Sequence, residues 1–446
     1  MKQIHSEQID LADGAVLRWA TPADAASYAA LATHAFVIGP EAHPNPNVVT
    51  YAHDLTSDLH PLCHSSDVAV VSQHDHIVAA AALMSQPIRY GGVIVPTGRP
   101  ELVCSHRSVR QKGYVRAIME RLHAKSEARG DLLQVITGIP HYYHQFGYAW
   151  SIDYNGYARI ETNALPPLSE THPQVMLRPF ERYEYKRFNE MYERELASRG
   201  LLVTTPYPEE LFIHGIESTV STEGFRPYGI YDESNACVGF CILTMRIWEG
   251  FNAVMALGFT EPASAFTHLI PTLHAIHAVN QTLPKPVSIH PDYHAIDILN
   301  DGEHPISKTL SALGIPQTTI APYTWYVRIS DIPRLLMHLH TVLESRIAAS
   351  MLRGYSGTIC ITFYRNGITM LWERGVLLAV TTRDSASYGD TPHAGYPPEA
   401  FTQQFCGWRS HAELRAWYPD VWATPATTVL LDILFPKSPS QLLYMN

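Results

Sequence analysis

The sequence has no long apolar run: its longest, Val78-Ala79-Ala80-Ala81-Ala82-Leu83-Met84, falls far short of the roughly 20 residues that a membrane-crossing helix needs. The stretch Met1 to Ser6 carries no apolar segment of the secretory type, so a soluble cytoplasmic protein with no membrane partner is expected. Cysteine is scarce. Six are scattered through 446 residues without a CxxC pair, and the 24 histidines form no HExxH, which argues against a disulfide framework and a zinc site and leaves reduced core thiols. Cys237 and Cys241 share a strand face, yet no Cys or His pair at finger-like spacing accompanies them, so no metal is expected. A basic run is missing too, and with a net charge of −10 nucleic acid is not expected as a partner.

What the chain has is core. With 46% hydrophobic and 17% charged residues, its length predicts two or three folded domains. A first unit reaches to about residue 157. The strand-like Ala15 to Trp19 precedes a helical stretch capped by Thr21, and Asp67–Val71 and His76–Ala80 read as a hairpin around Gln73-His74-Asp75. A strand is expected near Val93-Ile94-Val95 and another at Glu101–Ser105. The second of these runs into a glycine-bearing turn and a helix in which Val115, Ile118, Met119 and Leu122 share a face and Gly130 ends the run. Leu132–Ile136 is again a strand, and His141–Gln145 a short helix. Strands, turn, helix, strand, helix make a mixed α/β layer.

The proline-bearing stretch from Glu161 to Pro173 reads as a linker. Beyond it, Val175 to Pro179, the hairpin Tyr228–Tyr231 with Cys237–Cys241, and the strand Ala253–Leu257 before a helix with Leu269, Leu273 and Ile276 echo the first unit. The echo lacks one thing. Thr260-Glu261-Pro262-Ala263-Ser264 has neither arginine nor glycine where the first unit has its turn. A third unit starts near Trp325, with one helix around Leu335 to Ala349, a hairpin predicted at Asn366-Gly367, helices at Phe401–Trp408 and Ala412–Tyr418, and a last apolar segment. The expected boundaries are 1–157, 158–322 and 323–446.

Chemistry concentrates at Arg110-Gln111-Lys112-Gly113-Tyr114-Val115, between a strand and an amphipathic helix. A glycine here permits a tight turn, and the helix start behind it presents unpaired N–H groups, a combination suited to a pyrophosphate. Arg110 and Lys112 add cationic contacts, while Leu102 to Ser105 offer strand-edge groups to an extended ligand. Taken alone, one glycine after a strand is equally an ordinary strand–helix turn.

The wider segment Val103-Cys104-Ser105-His106-Arg107-Ser108-Val109-Arg110-Gln111-Lys112-Gly113-Tyr114-Val115 resembles the acetyl-CoA motif of the GNAT N-acetyltransferase superfamily. It departs at Val115, where the family prefers a small residue, and at Arg107, where proline is common. Gly138 to Tyr148, ending in Phe146-Gly147-Tyr148, looks like the family's tyrosine-helix hallmark. The whole chain resembles the enhanced intracellular survival acetyltransferases, which join two GNAT domains to a sterol-carrier-like domain. The resemblance implies an α/β fold of tandem GNAT units, the second degenerate, with a carboxy-terminal sterol-carrier-like domain, assembled as a homo-oligomer up to a hexamer.

It further implies direct transfer from acetyl-CoA to a primary amine of a small molecule or peptide. Cofactor contacts would come from Val103, Ser105, Arg110, Gln111, Lys112, Gly113, Tyr114 and Val115, with the Val103 N–H as oxyanion donor. Tyr143 matches the family's general acid, with Tyr142 as rival and packing against the sheet as the structural alternative. Glu101, on the face of Val103 if no bulge intervenes, is one candidate proton acceptor. The carboxylate at Asn446 is the other, because the family's third domain delivers it to the first, and three apolar residues among Leu442-Leu443-Tyr444-Met445-Asn446 favour a docked end over a frayed one. A lipid or small-ligand binder built on the third domain, and a transferase using a longer acyl-CoA, are the competing functions.

Overall fold

The structure, a computed structural model, describes residues 8–38, 43–44, 47–154, 156–217, 224–245, 247, 250–283, 293–299, 304–384 and 391–444. Its architecture is α/β, with mixed sheets flanked by helices. The first sheet has eight strands in the order Gln8–Asp10, Val16–Trp19, Val68–Gln73, His76–Ser85, Thr97–Ser105, Leu133–Ile136, Tyr323–Ile329, Ala149–Tyr154. One neighbouring pair is parallel, Thr97–Ser105 with Leu133–Ile136. The helix Tyr114–Arg129 makes the crossover that a parallel pair requires.

Local sequence accounts for much of this. His74 and Asp75 take positive φ of 50° and 62°, the geometry of a two-residue turn whose twist matches its strands. Gly130, at φ 96°, ends the crossover helix in a left-handed cap, where the Asp131 N–H reaches back to the Ser126 carbonyl at 3.0 Å. Ala79, Ala81 and Leu83 pack on the crossover-helix side of the sheet with Ile118 and Leu122. Ala80, Ala82 and Met84 face the other side, toward the helices Ala25–Ala35 and Asn47–Thr56. A strand buried on both faces reads as the unbroken apolar run seen in the sequence.

The second sheet runs Val175–Pro179, Phe225–Asp232, Cys237–Thr244, Phe251–Phe259, Ala295–Leu299, Tyr157–Glu161, Thr318–Ile320. Setting aside the edge strand Gln8–Asp10, the two sheets share order and direction, with a parallel pair again at the fourth and fifth places. Each takes its next-to-last strand from the other half of the chain. Tyr323–Ile329, which the sequence assigned to the start of the third unit, lies between Leu133–Ile136 and Ala149–Tyr154, while Tyr157–Glu161 lies in the second sheet.

A third sheet orders Val376–Asp384, Asn366–Glu373, Gly357–Thr362, Ala394–Gly395 and Trp422–Ala423. Its hairpin does not turn at Asn366-Gly367. Both residues are inside a strand, Gly367 opposite Thr362, and the turn is at Tyr364-Arg365, closed by the Phe363 N–H on the Asn366 carbonyl at 2.7 Å. Tyr364 carries the positive φ, 69°, that the sequence suggested for Asn-Gly. The helix expected over 335–349 is two, Ile332–His338 and His340–Ala348, meeting at Leu339. The strand expected at Val93–Val95 belongs to a small separate sheet with Ile88–Tyr90 and Val203–Thr204.

The third unit shares its core with the first sheet: Tyr90, Leu133, Val135 and Ile152 join Leu335, Phe401 and Leu430 in one buried cluster. Tyr90 stacks on Phe405 at 4.7 Å and donates its hydroxyl to the Phe405 carbonyl at 2.8 Å.

Candidate functional site

The strand Thr97–Ser105 is bent in its middle. Ala82 pairs with Glu101 and Ala80 with Cys104, so Leu102 and Val103 together oppose Ala81. Leu102 sits at φ 49°, uncommon for a residue with a side chain, and its surroundings hold it there. Its N–H donates to Glu101 Oε2 at 2.6 Å, and its carbonyl accepts the hydroxyl of the fully buried Tyr28 at 2.8 Å. The bulge sends Leu102 and Cys104 toward the Ala25–Ala35 helix and Val103 toward the crossover helix. The condition on which Glu101 was to share the face of Val103, an unbulged strand, is therefore not met.

Beside the bulge the parallel pair separates. Leu133 and Gln134 pair with Thr97 and Gly98, but Val135 and Ile136 pair only with Val327 and Tyr326 on their other side. The two strands form a wedge. Ile136, Met119 and Tyr143 cluster there, and Val103 and Val115 pack against them.

At the far end of the bulged strand the chain makes a 3-10 turn, Arg107–Val109, capped by His106, whose Nδ1 accepts the Ser108 N–H at 3.3 Å. Gln111 and Gly113 then take positive φ, 67° and 83°, and the 16-residue helix begins at Tyr114. A Cβ on Gly113 would meet no atom within 4 Å, so space lies open before the helix N-terminus. Its unpaired N–H groups and dipole suit an anion. Arg110, Gln111 and Lys112 are exposed around this opening. The Arg110 side chain makes no hydrogen bond or ion pair among the described residues, whereas Lys112 Nζ lies 2.8 Å from Asp13 Oδ2. Tyr114 is buried, its hydroxyl 3.3 Å from the Ala12 carbonyl, and Val115 is half-buried. Ser105 is half-buried beside a pocket of about 380 Å³ that His34, His106 and Arg107 also line.

Tyr143 opens a 3-10 turn, Tyr143–Phe146, where the sequence suggested a short helix. Its ring is 3% exposed and stands edge-on to Tyr142 at 5.2 Å and Tyr326 at 5.5 Å. Burial, and after it the charge of Glu101, push the Tyr143 phenol well above its ordinary pKa, so it holds its proton at neutral pH. Tyr142 is half-buried and raised mainly by burial.

Glu101 uses both oxygens: Oε1 accepts from Arg99 Nε at 3.1 Å, and Oε2 accepts the Leu102 N–H. Arg99 has no exposed surface, and its guanidinium lies 3.9 Å from the centre of the Tyr444 ring. The chain's last described segment thus docks beside the bulge, with Leu442 and Leu443 buried, while Asn446 lies outside the described residues. Arg99, Gln86 and Tyr28 were not among the site residues expected from the sequence. The signal for the first two was there, as polar residues next to runs otherwise buried on both faces.

Against known proteins, the family model described as an acetyltransferase (GNAT) domain matches residues 17–151. The chain carries a GNAT acetyltransferase domain. Bulge, cradle and Tyr143 all fall within it, and its enzyme class is acyl transfer. No curated protein matches the chain. Among solved structures it is similar to a probable N-acyltransferase from Enterococcus faecalis (14% identity, 97% of this chain and 100% of that one, TM-score 0.65). It is also similar to a GCN5-related N-acetyltransferase from Anabaena variabilis (13%, 96% and 99%, TM-score 0.63) and to Eis1 from Mycobacterium abscessus (14%, 96% and 99%, TM-score 0.55). The fold is therefore shared along nearly the whole chain. Among the described residues no helix is long and apolar enough to cross a membrane, and no three His, Cys, Asp or Glu side chains gather as a metal site would require.

Proposed function

We propose that the protein transfers an acetyl group from acetyl-CoA to a primary amine of a small molecule or peptide by direct attack in the GNAT domain. One observation carries the reading: a single domain joins a wedge between parallel strands, an anion cradle open at Gly113, and a buried, protonated phenol at Tyr143. In this reading residues 110–115 hold the pyrophosphate, and the edge from Val103 to Ser105 receives the extended arm of the co-substrate.

The neutral amine attacks the acetyl carbon, forming the C–N bond as the C–S bond breaks. The Val103 N–H stabilises charge developing on the acetyl oxygen, and Tyr143 gives its proton to the departing sulfur. Tyr143 is preferred to Tyr142 because it shares the wedge cluster as a fully buried member. The amine's own proton goes to a carboxylate. Of the two carboxylates expected from the sequence, Glu101 has both oxygens engaged in shaping the bulge, and Asn446 lies outside the described residues.

The second unit, 158–322, is read as a degenerate GNAT domain on its matching strand order, and the third, expected over 323–446 and starting here after the Tyr323–Ile329 strand, as a sterol-carrier-like domain on resemblance. Homo-oligomer formation is supported by the exposed Leu371, Val376, Leu378 and Met351 near the edge strand Val376–Asp384, and a cytoplasmic setting by six free cysteines. Calorimetry with acetyl-CoA, followed by an amine panel read by released thiol, tests the central claim. Absence of acetyl-CoA binding would overturn it.

A further inference from the structure

A continuous hydrogen-bond path runs from the chain's last described segment to the bulge. Gln86, 1% exposed, donates through Nε2 to the Leu443 carbonyl at 2.9 Å, and its Oε1 accepts from Arg99 Nη1 at 2.8 Å. Arg99 donates through Nε to Glu101 Oε1 at 3.1 Å, and Glu101 Oε2 accepts the Leu102 N–H at 2.6 Å. The next N–H along the chain is that of Val103.

The segment is seated along its length as well. The Pro439 carbonyl accepts the Leu202 N–H at 2.8 Å, the Gln441 N–H donates to the Val203 carbonyl at 2.9 Å, and the Leu443 N–H donates to Thr205 Oγ1 at 3.0 Å. Tyr444 then lays its ring against the Arg99 guanidinium at 3.9 Å, with Trp325 at 5.6 Å.

A guanidinium without exposed surface is stable only while its donors are met and its charge is balanced. Here part of that balance comes from the tail, through the Tyr444 ring directly and through Gln86, which bonds Leu443 with one end and Arg99 with the other. Unseating the tail leaves the Gln86 Nε2 and one face of Arg99 bare in the interior. The cheapest response is for Arg99 to shift, and Glu101 with it. Glu101 is the side chain that receives the Leu102 N–H in the left-handed bulge.

We propose that Arg99 is a positioning residue which, with Gln86, transmits docking of the 441–444 segment to the bulge and thereby sets the direction of the Val103 N–H. The first unit is then fully active only when the segment contributed by the far end of the chain is seated. The kinetic consequence rests on the acetyl-transfer reading, and the structural coupling does not.

Gln86→Leu removes the link to Leu443 together with the acceptor of Arg99 Nη1 and leaves the cradle residues unchanged. Tyr444→Ala removes the ring from the tail side, with its contacts to Arg99 and Glu101, and changes no residue of the first unit. Hydrogen exchange at amides 101–104 and 441–444 is the activity-independent readout. Both variants should raise exchange in both segments, and kcat should fall by about tenfold with the KM for acetyl-CoA held within about twofold. Faster exchange at 441–444 alone overturns the coupling. So does a parallel loss of kcat, acetyl-CoA affinity and melting temperature, which would make the role merely structural. Wild-type protein that acetylates no amine would sink the transferase reading by itself, and the exchange measurement would still decide the coupling.

Discussion

The first sheet reaches its long helix through eight residues, 106–113, and the second sheet reaches its own through two, Thr260 and Glu261. Strand order, direction and even a bulge are common to both, since Leu243 pairs with Val254 and Ile242 with Ala256, leaving Met255 extra. The wedge differs. Phe251–Phe259 stays paired with its parallel neighbour through four residues, from Phe251 to Val254, against two in the first sheet. At the helix start, Glu261 puts a carboxylate at the cap position, and Pro262 removes an N–H. Packing keeps a sheet, whereas an anion site depends on a few loop residues that the core does not need. One half can therefore lose the site and keep the fold.

The largest expected effect tests that difference directly. Gly113→Asp puts a carboxylate and a positive-φ penalty at the cradle and should weaken acetyl-CoA binding by a hundredfold or more, roughly the effect of a like charge plus strain. Glu261→Gln should leave binding unchanged, and calorimetry should find one site per chain. Two equivalent sites would erase the functional contrast between the sheets.

Tyr143→Phe should lower turnover about a hundredfold with acetyl-CoA affinity nearly intact, the scale of a lost general acid. Full activity in this variant would move the role to Tyr142 or solvent. A collapse in thermal stability would favour the packing role instead.

Protonation offers a test on the first half. Burial lowers the pKa of His60 and His123, both in the first half, to about 3; His214 and Arg99 reinforce the effect at His60, and Arg328 at His123. Between that value and the unfolded value of about 6.5 the unfolded chain binds more protons than the folded one. This contribution to stability is therefore present above pH 6.5 and is lost as pH falls toward 3. Urea unfolding at pH 7 and pH 5 should show the loss, and His123→Gln should reduce the slope. A slope unchanged in His123→Gln would remove this residue from the account.

The smallest effect is a sharpening. Asp13→Asn releases Lys112 from its exposed partner and should tighten acetyl-CoA binding by about twofold at low salt, with less at high salt. Weaker binding would show that Asp13 holds Lys112 where the ligand needs it.

Much of the first half was legible because its signals are local. The His74-Asp75 hairpin, the apolar face of Tyr114–Arg129 closed by Gly130, and the glycine turn before it each depend on residues within a few positions of one another. Asn366-Gly367 shows the limit of such signals. Its preference for a turn gave way to strand pairing, and the turn moved to Tyr364-Arg365.

By itself, then, the sequence determined the α/β class, the glycine turn at 110–113 and the apolar face of the helix behind it, since backbone permissiveness, helix periodicity and motif spacing are written in neighbouring residues. Tertiary structure alone decided the exchange of Tyr323–Ile329 and Tyr157–Glu161 between sheets, the bulge that parts Glu101 from Val103, and the burial of Arg99 between Gln86, Glu101 and Tyr444. These depend on partners as far apart as Gln86 and Leu443. No local pattern states which distant segment will satisfy a buried charge, and only the folded chain brings the two together.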